Sequence, residues 1–72
     1  MIIFERIMSI AKMHGLTQTG LAARCNLSTS KMSEWKQGRQ KPSLNNLIII
    51  ADEFNISIDY IVGRTSNMEV NR

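Results

Sequence analysis

Residues 17–38 read TQTGLAARCNLSTSKMSEWKQG and carry the most informative pattern of the chain. It predicts two helices joined by a short turn. The first begins after the N-cap Thr17 and ends at Asn26, because asparagine tolerates the left-handed conformation that a tight turn needs. The second begins after the N-cap Ser28 and runs to about Gln37, before a glycine that stops it. Apolar residues recur at helical spacing in both, namely Leu21, Ala22 and Cys25, and then Met32 and Trp35.

Helical spacing and capping residues predict a helix at each end of the chain. A first helix ends near His14, and its apolar positions are Ile3, Ile7, Ile10 and either Met13 or His14. Gly15 follows as the residue that stops it. A short last helix covers residues 58–62, between the N-cap Ser57 and Gly63.

A fourth predicted helix, between these, begins at Pro42 and Ser43. The positions expected to face inward are Leu44, Leu47, Ile48, Ala51 and Phe54. The sequence contains no convincing strand pattern, so the fold class is predicted to be all-α.

Length and composition exclude several classes of protein. A chain of 72 residues and 8.2 kDa allows one small domain. One cysteine and one histidine exclude an internal disulfide framework and a four-ligand Cys/His zinc site. The sequence has no phosphate-binding loop, metal cluster or paired carboxylates, so we expect no catalytic residues, no metal, no cofactor and no enzyme activity.

The longest apolar run, residues 47–51, is too short to span a membrane, and the apolar N-terminus lacks the pattern of a secretory signal. We therefore expect a cytoplasmic protein.

Charge is distributed unevenly along the sequence. Residues 1–42 hold seven basic and two acidic side chains, whereas residues 43–72 hold two basic and four acidic ones. The positive charge is densest between Arg24 and Lys41. A localised basic field attracts polyanions, and nucleic acid is the commonest large polyanion in a cell. A basic face that is solvated and has no partner is the alternative.

The outward face of the predicted third helix is small and polar. With Met32 and Trp35 pointing inward, the residues on the other side are Thr29, Ser30, Ser33, Glu34 and Gln37. Serine and threonine are weak helix formers, so their concentration here lowers local stability. Such a face suits the major groove of DNA, which admits one helix and presents donors, acceptors and thymine methyl groups. A poorly optimised surface helix is the alternative interpretation.

The chain resembles the lambda-repressor/Cro-type helix-turn-helix family. The resemblance covers about residues 3–63 and is carried by several short motifs in register, which are Gly15-Leu16-Thr17-Gln18, Leu21-Ala22, Leu27-Ser28, Met32-Ser33, Trp35, Gly38, Lys41-Pro42-Ser43-Leu44, Leu47, Ile50-Ala51 and residues 56–63. It implies a compact five-helix DNA-binding domain over residues 1–63, in which the third helix enters the major groove. Residues 64–72 are expected to form a polar, flexible C-terminal tail.

The resemblance also implies roles for individual residues. It places Thr29, Ser30 and Glu34, with Ser33 beside them, at base edges. Contacts to the DNA backbone are expected from Gln18, Lys31, Lys36, Gln37, Arg39 and Lys41, and Asn45 is added because it lies at a helix N-terminus. An ion pair between Glu34 and Lys31 is the alternative role for both. The expected dimer interface consists of Asn55, Ile56, Ser57 and Ile58.

The expected function is therefore that of a sequence-specific, double-stranded DNA-binding transcriptional regulator. The resemblance points to a phage or mobile-element repressor or Cro-like switch protein, which acts as a homodimer on an inverted repeat and is only weakly dimeric when free. Localisation would then be cytoplasmic and associated with the nucleoid.

Two other functions stay open at this point. One is an antitoxin or antirepressor-type protein-interaction module with secondary DNA binding. It would be favoured by an exposed apolar surface around Ile49, which occupies a position that is normally polar in the family. The other is a basic domain that binds nucleic acid non-specifically or binds RNA.

Overall fold

Five helices make up the fold, and they begin and end close to the predicted residues. The computed structural model of the protein describes residues 2–69. The helices are α1 Ile2–Met13, α2 Gln18–Arg24, α3 Thr29–Gln37, α4 Leu44–Phe54 and α5 Ile58–Ile61. No strand is present within the described residues, which confirms the all-α prediction. None of the helices in this part of the chain has both the length and the apolar character required to cross a bilayer.

Hydroxyl side chains cap the starts of α2 to α5, as predicted. The side-chain oxygen of Thr17 accepts a hydrogen bond from the backbone N–H of Gly20 at 3.0 Å, and at the start of the other three helices a serine side-chain oxygen accepts an equivalent bond from a backbone N–H. Each bond satisfies a backbone donor that the helix itself leaves free. The serine caps are Ser28, Ser43 and Ser57.

Left-handed residues end α2 and α3. Asn26 has φ 55° and Gly38 has φ 77°, so both lie in the region that most side chains avoid. The prediction that Asn26 closes the first helix of the pair is confirmed. Because Gly38 turns the chain back, the backbone N–H of Arg39 bonds to the carbonyl oxygen of Glu34 at 3.0 Å. This bond holds Arg39 beside the end of α3.

The core is apolar and is formed by one face of each helix. Trp35 and Met32 of α3 are buried, which confirms that the opposite face of α3 points away from the core. The structure leaves no buried polar side-chain atom of residues 2–69 without a hydrogen-bond partner. The remaining core side chains are Ile7, Ile10, Ala11, Leu21, Ala22, Cys25, Leu47, Ile50, Ala51, Phe54, Ile56, Tyr60 and Ile61.

The rotation of α4 differs from the prediction. Leu44 and Ile48, expected inside, are 66% and 38% exposed, whereas Ile50 is fully buried. Ile49, expected to be exposed, is half-buried and packs against the core. Residues 47–51 are all apolar, so this run does not define which side of the helix faces inward, and packing against the other helices decides it.

At the end of α1, Met13 and His14 are both exposed, so neither side chain enters the core. Met13 is 61% exposed, while the imidazole ring of His14 lies 4.7 Å from the ring of Phe54 between centroids. His14 follows the last residue of α1. The interaction joins the end of α1 to the end of α4.

The first and last helices, α1 and α5, pack against each other. The guanidinium carbon of Arg6 lies 4.4 Å from the centre of the Tyr60 ring, a cation–π contact between the two helices. Ile2 packs against Gly63, where a Cβ added to the glycine would lie 3.0 Å from Ile2 Cδ1. The residues that begin and end the helical domain are therefore neighbours.

The start of the C-terminal segment folds back onto the domain. The backbone N–H of Ser57 donates to the carbonyl oxygen of Met68 at 2.9 Å, and the Met68 side chain packs against the core. The backbone N–H of Arg64 bonds to the carbonyl oxygen of Asp59 at 2.8 Å. Residues 64–69 therefore contact the domain in the structure, the flexibility expected of residues 64–72 stays a prediction, and residues 70–72 lie outside the described part of the chain.

Candidate nucleic-acid interface

Helices α2 and α3 are joined by a tight turn whose geometry follows from the residues in it. Asn26 is left-handed, and the backbone N–H of Leu27 donates to the carbonyl oxygen of Ala22 at 2.8 Å. Ser28 then caps α3. Leu21 and Ala22 of α2 and Met32 and Trp35 of α3 are buried in the same core. This packing fixes α3 against α2 and leaves the opposite side of α3 in solvent.

The outward face of α3 forms an open depression lined by polar groups. Thr29, Ser30 and Ser33 are exposed, and Glu34 is half-buried. Within residues 2–69, none of these four side chains takes part in a hydrogen bond or an ion pair, so all four remain available to a partner. Gln37 and Arg39 line the same depression.

Glu34 does not pair with Lys31. No Lys31 nitrogen lies within 4.0 Å of the Glu34 carboxylate, although the two residues are one helical turn apart. The alternative role that the sequence left open for these two residues is therefore absent from the described structure. The carboxylate stays free to accept a hydrogen bond, and Arg39 in the same depression supplies a positive charge.

The other residues expected to contact the DNA backbone are exposed or half-buried. Gln18 is the first residue of α2 and is half-buried, and Asn45 is exposed in the first turn of α4. The structure brings Gln37 and Arg39 into the depression but does not place the others in it. The exposed lysines expected to contact the backbone are Lys31, Lys36 and Lys41.

Arg24 belongs to a different part of the molecule from the basic residues near α3. Its guanidinium group lies 3.0 Å from the Glu53 carboxylate and 5.2 Å from the centre of the Phe54 ring. No sequence pattern predicts this contact, because the partners are 29 residues apart. Arg24 therefore joins α2 to α4. Of the basic residues between Arg24 and Lys41, Arg24 is paired with a carboxylate within its own chain.

The expected dimer residues lie around the turn between α4 and α5. Asn55 is exposed and left-handed with φ 53°, Ser57 and Ile58 are half-buried, and Ile56 is only 8% exposed. Most of Ile56 is therefore committed to the core of its own chain. These four residues, together with Ala51, Asp52 and Asp59, line a second open depression. Sequence reasoning had not singled out the two aspartates.

Metal chemistry has no support in the described residues. Within residues 2–69, no group of three or more histidine, cysteine, aspartate or glutamate side chains is placed to hold a metal ion. The buried thiol of Cys25 is free. Burial raises the pKa of this thiol, the Glu53 carboxylate adds to the increase, and Arg24 opposes it.

Comparison with known proteins supports this geometry. A helix-turn-helix family model matches residues 7–61, which include all of α2, α3, α4 and α5. The chain belongs to the Cro/C1-type helix-turn-helix family. Membership identifies this region as a DNA-binding domain and not as an enzyme.

Relatives of this Cro/C1-type domain include regulators of bacteria and phages. The chain is 38% identical over 63 residues to the immunity repressor protein of Bacillus phage phi105, covering 88% of this chain and 44% of the repressor. It is 33% identical over 65 residues to the cryptic phage CTXphi transcriptional repressor RstR of Vibrio cholerae, covering 90% of this chain and 58% of RstR. It is 32% identical over 63 residues to the uncharacterized HTH-type transcriptional regulator YobD of Bacillus subtilis, covering 88% of this chain and 56% of YobD. The chain thus spans about half the length of these relatives.

Proposed function

We propose that this protein is a sequence-specific, double-stranded DNA-binding transcriptional regulator that acts as a repressor. The observation that carries the proposal is the outward face of α3, where exposed Thr29, Ser30 and Ser33 and half-buried Glu34 share one depression with Arg39. A face made only for contact with water would gain helix stability from longer side chains. The phage repressors among the relatives support an origin in a phage or mobile element.

The chemistry of this face matches the edges of base pairs. The hydroxyls of Thr29, Ser30 and Ser33 both donate and accept, and the threonine methyl group can pack on a thymine methyl group. The Glu34 carboxylate only accepts, and in the major groove its suitable partner is the amino group of cytosine. We therefore propose that Glu34 selects a C·G pair within each half-site.

Contacts to phosphates would hold α3 in register. Arg39 is the strongest candidate, because the turn at Gly38 places it beside the base-reading residues. Gln18 would contribute its amide together with the free N–H groups at the start of α2. The other proposed backbone contacts come from Lys31, Lys36, Gln37, Lys41 and Asn45.

A homodimer on an inverted repeat would provide the specificity that one short helix lacks. Each mismatched base pair costs only about 1–3 kcal/mol, so one half-site discriminates weakly. Two copies reading half-sites about one helical turn apart would combine their binding energies. The proposed interface is the surface of Asn55, Ile56, Ser57 and Ile58, and a surface this small would hold only a weak dimer in the absence of DNA.

Selection from a pool of random duplexes tests the proposal. The protein is incubated with the pool at a low and at a high salt concentration, and the bound duplexes are sequenced after several rounds. We expect enrichment of an inverted repeat that persists at high salt, where non-specific phosphate contacts are weakened. A bound pool without any preferred sequence would contradict the proposal and would favour a non-specific or RNA-binding domain.

A further inference from the structure

An exposed apolar stripe runs along α4 toward the turn before α5. Leu44 and Ile48 are 66% and 38% exposed and lie one turn apart. Asp52 and Asn55 continue the same side of the helix, at positions four and seven residues after Ile48, and both are exposed. These four residues face away from the core and are not among those proposed to contact DNA, whereas Lys41, just before α4, is one of them.

The depression at the end of the stripe is lined by both apolar and acidic residues. Ala51, Ile56 and Ile58 contribute the apolar part, and Asp52 and Asp59 contribute the carboxylates. Neither carboxylate has an ion-pair partner within residues 2–69. A partner that fits this depression therefore carries an apolar side chain with a positive charge next to it.

The other end of the stripe carries an apolar side chain with a positive charge next to it. Leu44 is the most exposed large apolar side chain of the described residues, and Lys41 precedes it by three positions, just before α4 begins. Lys41 is exposed and forms no ion pair within residues 2–69. The two ends of one surface are thus complementary to each other, which is the requirement for pairing between identical copies across a twofold axis.

We infer that α4 packs antiparallel against α4 of a second copy of this chain, with Ile48 at the twofold axis. Leu44 of each copy occupies the depression of the other, and Lys41 lies near Asp52 of the second copy. The inference rests on the proposed homodimer and enlarges its interface from the α4–α5 turn to the whole exposed side of α4.

The spacing along α4 is consistent with this arrangement. A helix rises about 1.5 Å per residue, so Leu44 and Asp52 each lie about 6 Å from Ile48, in opposite directions. An antiparallel pair therefore places Leu44 beside Asp52 and Ala51 of the other copy. A parallel pair would instead bring Asp52 against Asp52 and Lys41 against Lys41, and both contacts are repulsive.

Sedimentation equilibrium without DNA tests the apolar part of the interface. In Ile48→Asp, two carboxylates meet at the axis, so we expect a monomer at protein concentrations where the unmodified chain dimerises. Met13→Asp is the matched control, since it changes another exposed apolar residue on α1, and it should dimerise as the unmodified chain does. Circular dichroism verifies that each variant is folded. Unchanged dimerisation of Ile48→Asp, or an unmodified chain that stays monomeric at millimolar concentration, would overturn the inference.

Charge exchange tests the antiparallel register. Lys41→Glu and Asp52→Lys each place like charges together in a homodimer, so each variant alone should dimerise roughly tenfold more weakly. In a mixture of the two variants, both pairs of the heterodimer are again attractive, and association should return toward that of the unmodified chain. A mixture that associates no better than its components would overturn the proposed register.

These measurements separate the inference from the proposed function. Dimerisation in the absence of DNA does not depend on base recognition. If the duplex selection yields no preferred sequence, DNA recognition fails while the α4 interface can still be established. If selection yields an inverted repeat but the α4 variants dimerise normally, the interface inference fails alone.

Discussion

Serine and threonine on the solvent-facing side of a helix lower its stability and are expected there only when their hydroxyl groups bind something. Thr29, Ser30 and Ser33 lie in α3, where serine and threonine are less favourable than alanine or lysine. Among the hydroxyl residues of this segment, Ser28 has a capping role, since its side-chain oxygen accepts a hydrogen bond from the backbone N–H of Lys31 and it lies just before the helix. For the other three hydroxyls, base recognition is the role that we propose.

Removal of one base-reading group should change sequence preference more than overall affinity. We expect Ser30→Ala and Glu34→Ala to lower discrimination at one base pair of each half-site by about 1–3 kcal/mol. Competition between the selected duplex and single-base variants of it provides the measurement. Arg39→Ala is the control, since loss of a phosphate contact should weaken binding to all sequences equally and reduce the salt slope by about 0.9. If Glu34→Ala discriminates between bases as the unmodified protein does, the proposed role of Glu34 is wrong.

The buried thiol of Cys25 should make stability depend on pH in the alkaline range. Burial raises its pKa above the ordinary 9.0, and nearby Glu53 acts in the same direction. Well below pH 9.0 the thiol is protonated in both the folded and the unfolded chain, so its contribution is fully present. As the pH rises further, the unfolded chain loses the proton first, and stability falls until the folded-state pKa is passed.

The matching measurement is urea unfolding of the protein and of Cys25→Ala across this range. The variant should have lower stability at neutral pH because of the lost packing, and a flatter decline above pH 9.0. Parallel curves for the two proteins would show that the thiol does not contribute to the alkaline loss of stability.

At the scale of elements, local chemistry determined where helices begin and end. The four hydroxyl caps and the left-handed turn at Asn26 could all be predicted because each depends on one residue and its immediate neighbours. The rotation of α4 could not be predicted, since the run of apolar residues 47–51 allows several faces to point inward. The Arg24–Glu53 ion pair and the return of Met68 to Ser57 also escaped prediction, because they join segments that are distant in sequence.

Two glycines should respond to alanine in opposite directions. Gly20 lies within α2, and an added Cβ would meet its neighbours at 3.4 Å or more, so Gly20→Ala should stabilise the protein by about 0.5–1 kcal/mol. Gly38 has open space around it but a φ of 77°, so Gly38→Ala should destabilise by about 1–2 kcal/mol through the backbone alone. Urea unfolding of both variants measures the two changes. The same sign for both would mean that available space, and not backbone conformation, governs these sites.

At the scale of the whole molecule, opposite charges lie in different parts of the chain. Residues 1–42 have a net charge of +5 and residues 43–72 have −2. Lys31, Lys36, Lys41 and Arg39 are exposed on or next to α3 and Lys12 is exposed on α1, whereas Asp52 and Asp59 line the depression near α5. The basic part of the surface would attract DNA from a distance, and the acidic part would disfavour contact with phosphates. The charge distribution thus favours one orientation of the protein on a duplex.

The spacing of the half-sites should control binding by two copies. We expect insertion of about five base pairs at the centre of the selected inverted repeat to abolish cooperative binding, since it rotates one half-site by about half a turn. Binding to a duplex with a single half-site should not change. Fluorescence anisotropy titrations measure the cooperativity of binding to the original and to the expanded duplex. Cooperativity that is independent of the insertion would contradict a rigid homodimer.

The contact between Ile2 and Gly63 has a practical consequence. Because these two residues touch within one copy, a short flexible linker could join the region after the last helix to the start of the first helix. Neighbouring ends are the condition under which circular permutation is tolerated, so a chain permuted in this way, with new ends opened in an exposed loop, should keep the helical fold.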